Sequence, residues 1–473
     1  MDDCILVLSF SDRTALDLTR RIRGERVFSL ILPGSTTAAQ IRELSPKGII
    51  LSGEEVGSGV LDAGVLGLGI PVLAVGHTAH MMLTALGGAC AGTGVFQRRA
   101  EVHYEESALF RGIADDERYI HELQTMMLPG NLRMTASIGG CTAAYEDAER
   151  KLFAIQFELE RNDPTATDIL KNFLRGICGC EPWFTTEAAI SRVRAELKAK
   201  ADAGLHAVCA VSGGLDSAVL SVLSKEAFGD RMTAVYVETG LMRASEVDTV
   251  QDMFDQLDIP LLTIDRHTQM LEELAGTRKM QEKQKKLQAF LLNTLLEDAG
   301  TENVCYLFGT DYSDRLFDRQ PVPEAGSSVD LQEPLSAFFR SEISEMALLL
   351  GIPDSIRDRK PFPPLGLGAL AMGEVREDKL RILRGVDVIF RQELKAGGLL
   401  PKLYDFYPQL SEKGAFGGGR QVLLTAHALS GGKLVPARLP YDVVERTVNR
   451  ILMDYPTVSR VMLDETPTLR GNL

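Results

Sequence analysis

The sequence has no apolar run near the ~20 residues that span a bilayer. It also has no long basic stretch: its 51 lysines and arginines are outnumbered by 65 acidic residues, leaving a formal charge of −14. Bulk electrostatics therefore speak against nucleic acid as a partner, and the missing span speaks against a membrane. The start, Met1-Asp2-Asp3-Cys4, lacks a charged-then-apolar leader, so a cytoplasmic location is expected. The seven cysteines are odd in number and irregularly spaced, which suits reduced thiols better than a disulfide framework. Cys178-Gly179-Cys180 is too tight for a usual zinc pair and has no matching pair, so it reads as small buried residues beside Trp183. No internal repeat or low-complexity segment is present.

What remains is the patterning of a globular protein long enough for several domains, with 473 residues to distribute. Residues 1–185 alternate short apolar runs (Cys4–Leu8, Val27–Leu32, Gly48–Ser52, Val72–Val75) with helix-compatible stretches, and Thr167–Ile177 reads as a closing helix. Residues 186–360 repeat the alternation, with strands expected at Ala207–Val211, Met232–Val237, Leu261–Ile264 and Val304–Phe308. Residues 361–473 follow a Pro-rich break and read as helices near 377–395 and 441–453, strands at Gln421–Leu424 and Ser459–Leu463, and a Gly-rich hairpin near 414–420. The fold class expected is α/β: two doubly wound, mainly parallel-sheet domains followed by a small α+β domain.

Directly after Ala207–Val211 comes Ser212-Gly213-Gly214-Leu215-Asp216-Ser217, and a helix-like stretch follows. Glycines let backbone approach an anion, and the helix start points N–H groups at it. The order is not the Walker type, which ends in Gly-Lys-Ser/Thr. It resembles the pyrophosphate loop of the ATP-pyrophosphatases. Further segments extend the resemblance: Gly48–Gly53, Leu86-Gly87-Gly88, Gln156-Phe157, Thr239–Arg243, Phe308–Tyr312, Glu333-Pro334-Leu335, Gly373-Glu374-Val375 and Ala437–Asp442. In that order they resemble glutamine-hydrolysing GMP synthase over nearly the whole chain. The resemblance implies an amidotransferase-like domain at 1–185, an ATP-pyrophosphatase domain at 186–360 and a dimerisation-like domain at 361–473. It implies ATP and Mg2+ as cofactors, XMP or a related carbonyl compound as acceptor, and a homodimer formed through the last domain.

By that resemblance Ser212, Gly213, Gly214, Leu215, Asp216 and Ser217 hold the pyrophosphate, with Val237 and Gly309 beside them. Asp216 and Ser217 take catalytic roles, and Asp216 and Asp311 hold Mg2+. The cation-rich stretch 278–288 has two open readings, a solvated helix face or a lid whose Lys285 and Lys286 meet triphosphate. Arg420 and Arg438 likewise are either acceptor contacts or surface arginines that cap or pair.

The chain departs from the family where glutamine would be hydrolysed. A thiolate must attack the amide and an imidazole must activate it. Gly76 stands at the nucleophile's place and Glu158 at the histidine's; only the orienting Glu160 remains. The oxyanion segment is altered to Gly53-Glu54-Glu55-Val56-Gly57-Ser58. Ammonia is therefore expected from solution or a partner. The His77-x-x-His80 pair has no third ligand nearby in sequence and reads as a satisfied core or surface pair. The family's phosphate-gripping Lys-Ser-His-His-Asn is replaced by Pro321–Ser328, which carries no cation. The leading expectation is an ATP-pyrophosphatase that adenylates a carbonyl acceptor for amination; the alternative is a non-catalytic ATP-binding protein.

Overall fold

The computed structural model describes residues 3–10, 12–53, 60–92, 95–160, 163–299, 302–317, 329–360, 362–363, 365–412, 418–430 and 433–466. Glu54–Ser58, Pro321–Ser328, part of the Gly-rich hairpin and the last seven residues lie outside them. The chain divides into two compact units, Met1–Ala188 and Ala189–Leu473.

The first unit begins with β1 (Cys4–Ser9), α1 (Asp12–Gly24), β2 (Phe28–Pro33), α2 (Ala38–Leu44), β3 (Gly48–Gly53), β4 (Val72–Gly76) and α3 (His77–Ala85). It continues with β5 (Ala89–Ala91), β6 (Val95–Tyr104), β7 (Asp116–Glu122), β8 (Thr125–Met127), β9 (Arg133–Ile138), β10 (Cys141–Asp147), β11 (Leu152–Ile155) and α4 (Pro164–Lys171). Nine strands form one sheet in the order β2-β1-β3-β4-β11-β10-β9-β6-β7. From β2 to β11 the pairing is parallel. There the strands are buried almost throughout, as expected of a sheet covered on both faces. From β11 to β7 the pairing turns antiparallel. No strand of this half is among those expected from the sequence, and β6 and β7 interleave charges with apolar residues. The expected closing helix is α4 followed by a π-helical turn, Asn172–Ile177.

In the second unit α5 (Thr186–Asp202) leads to β12 (His206–Val211), α6 (Leu215–Phe228), β13 (Met232–Glu238), α7 (Glu246–Gln256), β14 (Leu261–Asp265), α8 (His267–Leu274), α9 (Met280–Ala299), β15 (Val304–Leu307), α10 (Tyr312–Phe317), β16 (Asp330–Gln332), α11 (Arg340–Leu349) and α12 (Asp354–Arg357). The sheet order is β14-β13-β12-β15-β16, all parallel. The order reverses at β12, so the crevice beyond its carboxyl end is where ligands bind in such sheets. α13 (Glu377–Ala396), β17 (Asp405–Leu410), β18 (Arg420–Ser430), β19 (Lys433–Pro436), α14 (Tyr441–Asp454) and β20 (Val458–Asp464) complete the chain. Here β18 pairs antiparallel with β17 and β19 and parallel with β20.

Residues 361–473 do not stand apart from the unit. Leu241, Met270 and Leu274 share one buried cluster with Leu383 and Phe390 of α13 and Leu424 of β18. No helix among the described residues is long and apolar enough to cross a membrane.

Candidate functional site

The Ser-Gly-Gly-x-Asp-Ser segment forms the turn from β12 into α6. Gly213 has φ of +74°, a conformation that disfavours any side chain. A Cβ there would also sit 2.6 Å from Val250 Cγ2. Gly214 caps the 14-residue helix and brings no side chain to its first amides. Such a helix start is a ready anion site. The serines lock the turn: Ser217 Oγ donates to the Gly214 carbonyl at 2.9 Å, and Ser212 Oγ accepts the Gly214 N–H at 3.2 Å. Gly309, just after β15, closes the far side. A Cβ on it would lie 2.9 Å from the Ser217 backbone nitrogen. Only glycine lets the chain leaving β15 approach the first turn of α6 so closely. Val237 is buried with Val208, Val235, Leu295 and Tyr306 in the sheet's core.

Asp216 is buried, with one oxygen paired to Arg340. Its other oxygen, Oδ1, is buried and has no hydrogen-bond partner among the described residues. Burial pushes its pKa up to about 6; Arg340 pulls it down, while nearby Asp311 and Asp314 push it further up. Asp311 is also buried, and its Oδ1 accepts the Asp314 N–H at 2.8 Å. Glu238, at the end of β13, accepts the Gly240 N–H at 2.6 Å, and burial raises its pKa.

Other predicted site residues are placed differently. Lys285 is exposed, and Lys286 donates to the Glu273 carbonyl at 2.6 Å. The lysine that turns inward is Lys283, which donates to the Ala371 carbonyl at 3.0 Å; burial lowers its pKa to about 8. Arg420 is not a surface residue. It is 3% exposed and paired with Asp378, with Nε and Nη1 unpartnered among the described residues. Arg438 lines a different place, a pocket of about 520 Å3 with Lys402 and Ala428. Its neighbour Ala437 bonds to Ala426, six residues along β18 from Arg420, or about 20 Å at the strand's rise. The two arginines therefore do not converge on one acceptor.

In the first unit Gly76 joins β4 to α3 with φ +62° and ψ −129°. A Cβ there would lie 2.8 Å from Glu158 Oε1, so the carboxylate fills the space a nucleophile's side chain would need. Gly76, His77, His121, Glu122, Gln156 and Glu158 enclose a cavity of only about 10 Å3. That is room for one water-sized occupant. Glu160 is turned to Arg99, with both oxygens at 2.6 Å from Nη2. All seven cysteines are free, and burial raises Cys178 and Cys180.

Sequence reasoning missed the arginines that brace the loop. Arg340 meets Asp216, while Arg359 donates to the Gly213 carbonyl at 2.7 Å and pairs with Glu246. Both lie more than a hundred residues downstream, and no local pattern marks them.

The family described as NAD synthase matches residues 187–314, spanning the loop. A protein named GMP synthase [glutamine-hydrolyzing] from Caldanaerobacter subterraneus subsp. tengcongensis is 32% identical, covering 98% of this chain and 97% of its own. Relatives of the same name from Geobacillus kaustophilus and Enterococcus faecalis are 31% and 30% identical, with 98% of this chain covered in each case and 98% and 96% of theirs. The chain therefore belongs to the GMP synthase family.

Proposed function

We propose that the second unit is an ATP-dependent C–N ligase site that adenylates a carbonyl acceptor, XMP or a related compound, for amination by free ammonia. The acceptor's carbonyl oxygen attacks the α-phosphorus of ATP, and the bond to the β-phosphate breaks to release pyrophosphate. Ammonia then adds to the activated carbon, loses a proton, and AMP departs. The observation that carries this reading is the loop itself, with Gly213 in a glycine-only conformation, the α6 amides behind it, and Gly309 allowing close approach. Backbone donors placed where phosphate charge grows are the kind of stabilisation that lowers such barriers most.

Asp216 Oδ1, buried and unpartnered, beside the Asp311 carboxylate gives hard oxygen donors that suit Mg2+. Mg2+ held there would neutralise phosphate charge. Asp216 must be ionised to hold it, so Mg2+ and the proton compete for the carboxylate and binding weakens as pH falls. Arg340 keeps that carboxylate oriented.

Free ammonia as the nitrogen source is favoured by Gly76, which has no nucleophile, and by Glu158, which stands in its space. For the acceptor's anion Arg438 is the better candidate: it lines an open pocket with Lys402, whereas Arg420 already faces Asp378. Exposed Leu429, Tyr441, Met453 and Met462 on the C-terminal elements favour a homodimer through that region.

The test is ATP–pyrophosphate exchange and AMP release with ammonium or glutamine, over XMP and related carbonyl compounds. AMP formation with ammonium, abolished by Asp216→Asn, is expected. ATP binding without pyrophosphate release from any acceptor would leave a non-catalytic ATP-binding protein instead. Equal rates with glutamine would overturn the free-ammonia assignment.

A further inference from the structure

The cavity beside Gly76 carries polar atoms that the ligase reading does not use. His77 and His80 occupy the first turn of α3, three residues apart and on one face. Their rings meet edge to face with centroids 5.3 Å apart. A third donor arrives from the far end of the sheet: Glu122, the last residue of β7, places Oε2 3.5 Å from His77 Nδ1. One donor atom from each of the three lies within 4.8 Å of the others.

His80 Nδ1 is buried and without a hydrogen-bond partner among the described residues, and buried His77 Nδ1 has only the long 3.5 Å approach of the Glu122 carboxylate. Leaving such a ring nitrogen dry is costly unless an occupant meets it. The tautomer of His80 follows from its neighbour. Gln156 Nε2 donates to the carbonyls of Gln124 and Thr142, so its Oε1 faces His80 as an acceptor. His80 Nε2 therefore carries the proton, 2.7 Å from that oxygen, and Nδ1 is a bare lone pair. This is the arrangement of a metal-binding imidazole, in which the other ring nitrogen is fixed by an outer hydrogen bond. Gln124 similarly holds the Oε1 of Glu122, leaving Oε2 for the site.

We propose that His77, His80 and Glu122 form a binding site for one divalent transition-metal ion of the zinc type, beside the small cavity at Gly76 that His77 and Glu122 also line. Two imidazoles and one carboxylate suit zinc, cobalt or nickel, and not magnesium. Tetrahedral ligands about 2.0–2.1 Å from an ion stand roughly 3.3 Å apart, so the donors must close inward slightly as the ion enters. The small cavity shared with Glu158 leaves space for a water in the fourth position. The pair that has no third ligand in local sequence acquires one through the antiparallel half of the sheet.

The full chain, stripped with chelator and titrated with Zn2+ by calorimetry, should take up one ion at micromolar concentration or below. His77→Ala and Glu122→Gln should each weaken uptake by about tenfold or more, at least the loss seen when outer-shell partners are removed. His103→Ala, which removes an exposed histidine paired with Asp115, should leave it unchanged. Co2+ bound to the unmutated chain should give the intense visible absorption of a four-coordinate site, a readout that needs no variant to fold. Absence of saturable uptake below millimolar Zn2+ would overturn the proposal. So would uptake insensitive to Glu122→Gln, or uptake lost equally in His103→Ala. ATP cleavage in the second unit does not enter any of these readings, so the two proposals fail separately.

Discussion

Asp216 is the residue whose chemistry and stability pull in opposite directions. The folded chain holds its proton more tightly than the unfolded chain, with a pKa of about 6 against the ordinary 3.8. The stability tied to that proton is complete below about pH 4 and is lost as pH rises through 6. At pH 8 the buried carboxylate is ionised and costs the fold. Asp216→Asn should therefore stabilise the ligand-free protein by about 2 kcal/mol at pH 8, and by almost nothing at pH 4, in urea unfolding. The same variant should lose ATP cleavage. Gly309 has the opposite character, since it serves closeness alone. Gly309→Ala pushes a methyl against the Ser217 backbone, so it should cost about 1–3 kcal/mol in melting experiments and weaken ATP binding. The loop residues were legible because they are consecutive and follow a strand. Arg340, Arg359 and Glu122 were not, because each is delivered by another element through tertiary packing.

Elements were readable where burial is two-sided. β1, β3, β4, β12 and β13 are near-continuous apolar runs, and such runs announce a parallel strand within a covered sheet. β7, Asp-Glu-Arg-Tyr-Ile-His-Glu, shows how the antiparallel half escaped. Only Arg118 and Ile120 of its seven residues are buried, and one of these is an arginine, held by Asp116 and Asp163. A buried arginine in a strand mimics a solvated loop. α2 illustrates a signal that local sequence does carry. Thr37 and Gln40 close a capping box at its start, each side chain meeting the other's backbone N–H. Thr37→Ala should cost about 1 kcal/mol, visible as faster amide exchange across α2.

At the scale of the molecule, the two proposals fall in separate compact units. Within the second, the core does not stop where the Pro-rich break suggests. Leu383 of α13 is fully buried in the cluster that contains Leu241 and Met270. Leu383→Ala should cost about 2–5 kcal/mol, and the loss should appear in the unfolding of the nucleotide-binding sheet as well as the C-terminal strands. Separate transitions for the two would show that the shared core does not couple them.

That shared core also bears on how the protein comes into being. The Ser-Gly-Gly-x-Asp-Ser turn, Leu241, Met270 and Leu274 are synthesised long before the C-terminal residues that share the core with those three. At about 5–20 residues per second, the roughly hundred residues from Leu365 to Val458 take some 5–20 s to emerge. During that interval the nascent chain presents the bare apolar surface of Leu241, Met270 and Leu274. Prematurely terminated products should then be substrates for chaperones and proteases, and nucleotide binding should begin only when translation is nearly complete.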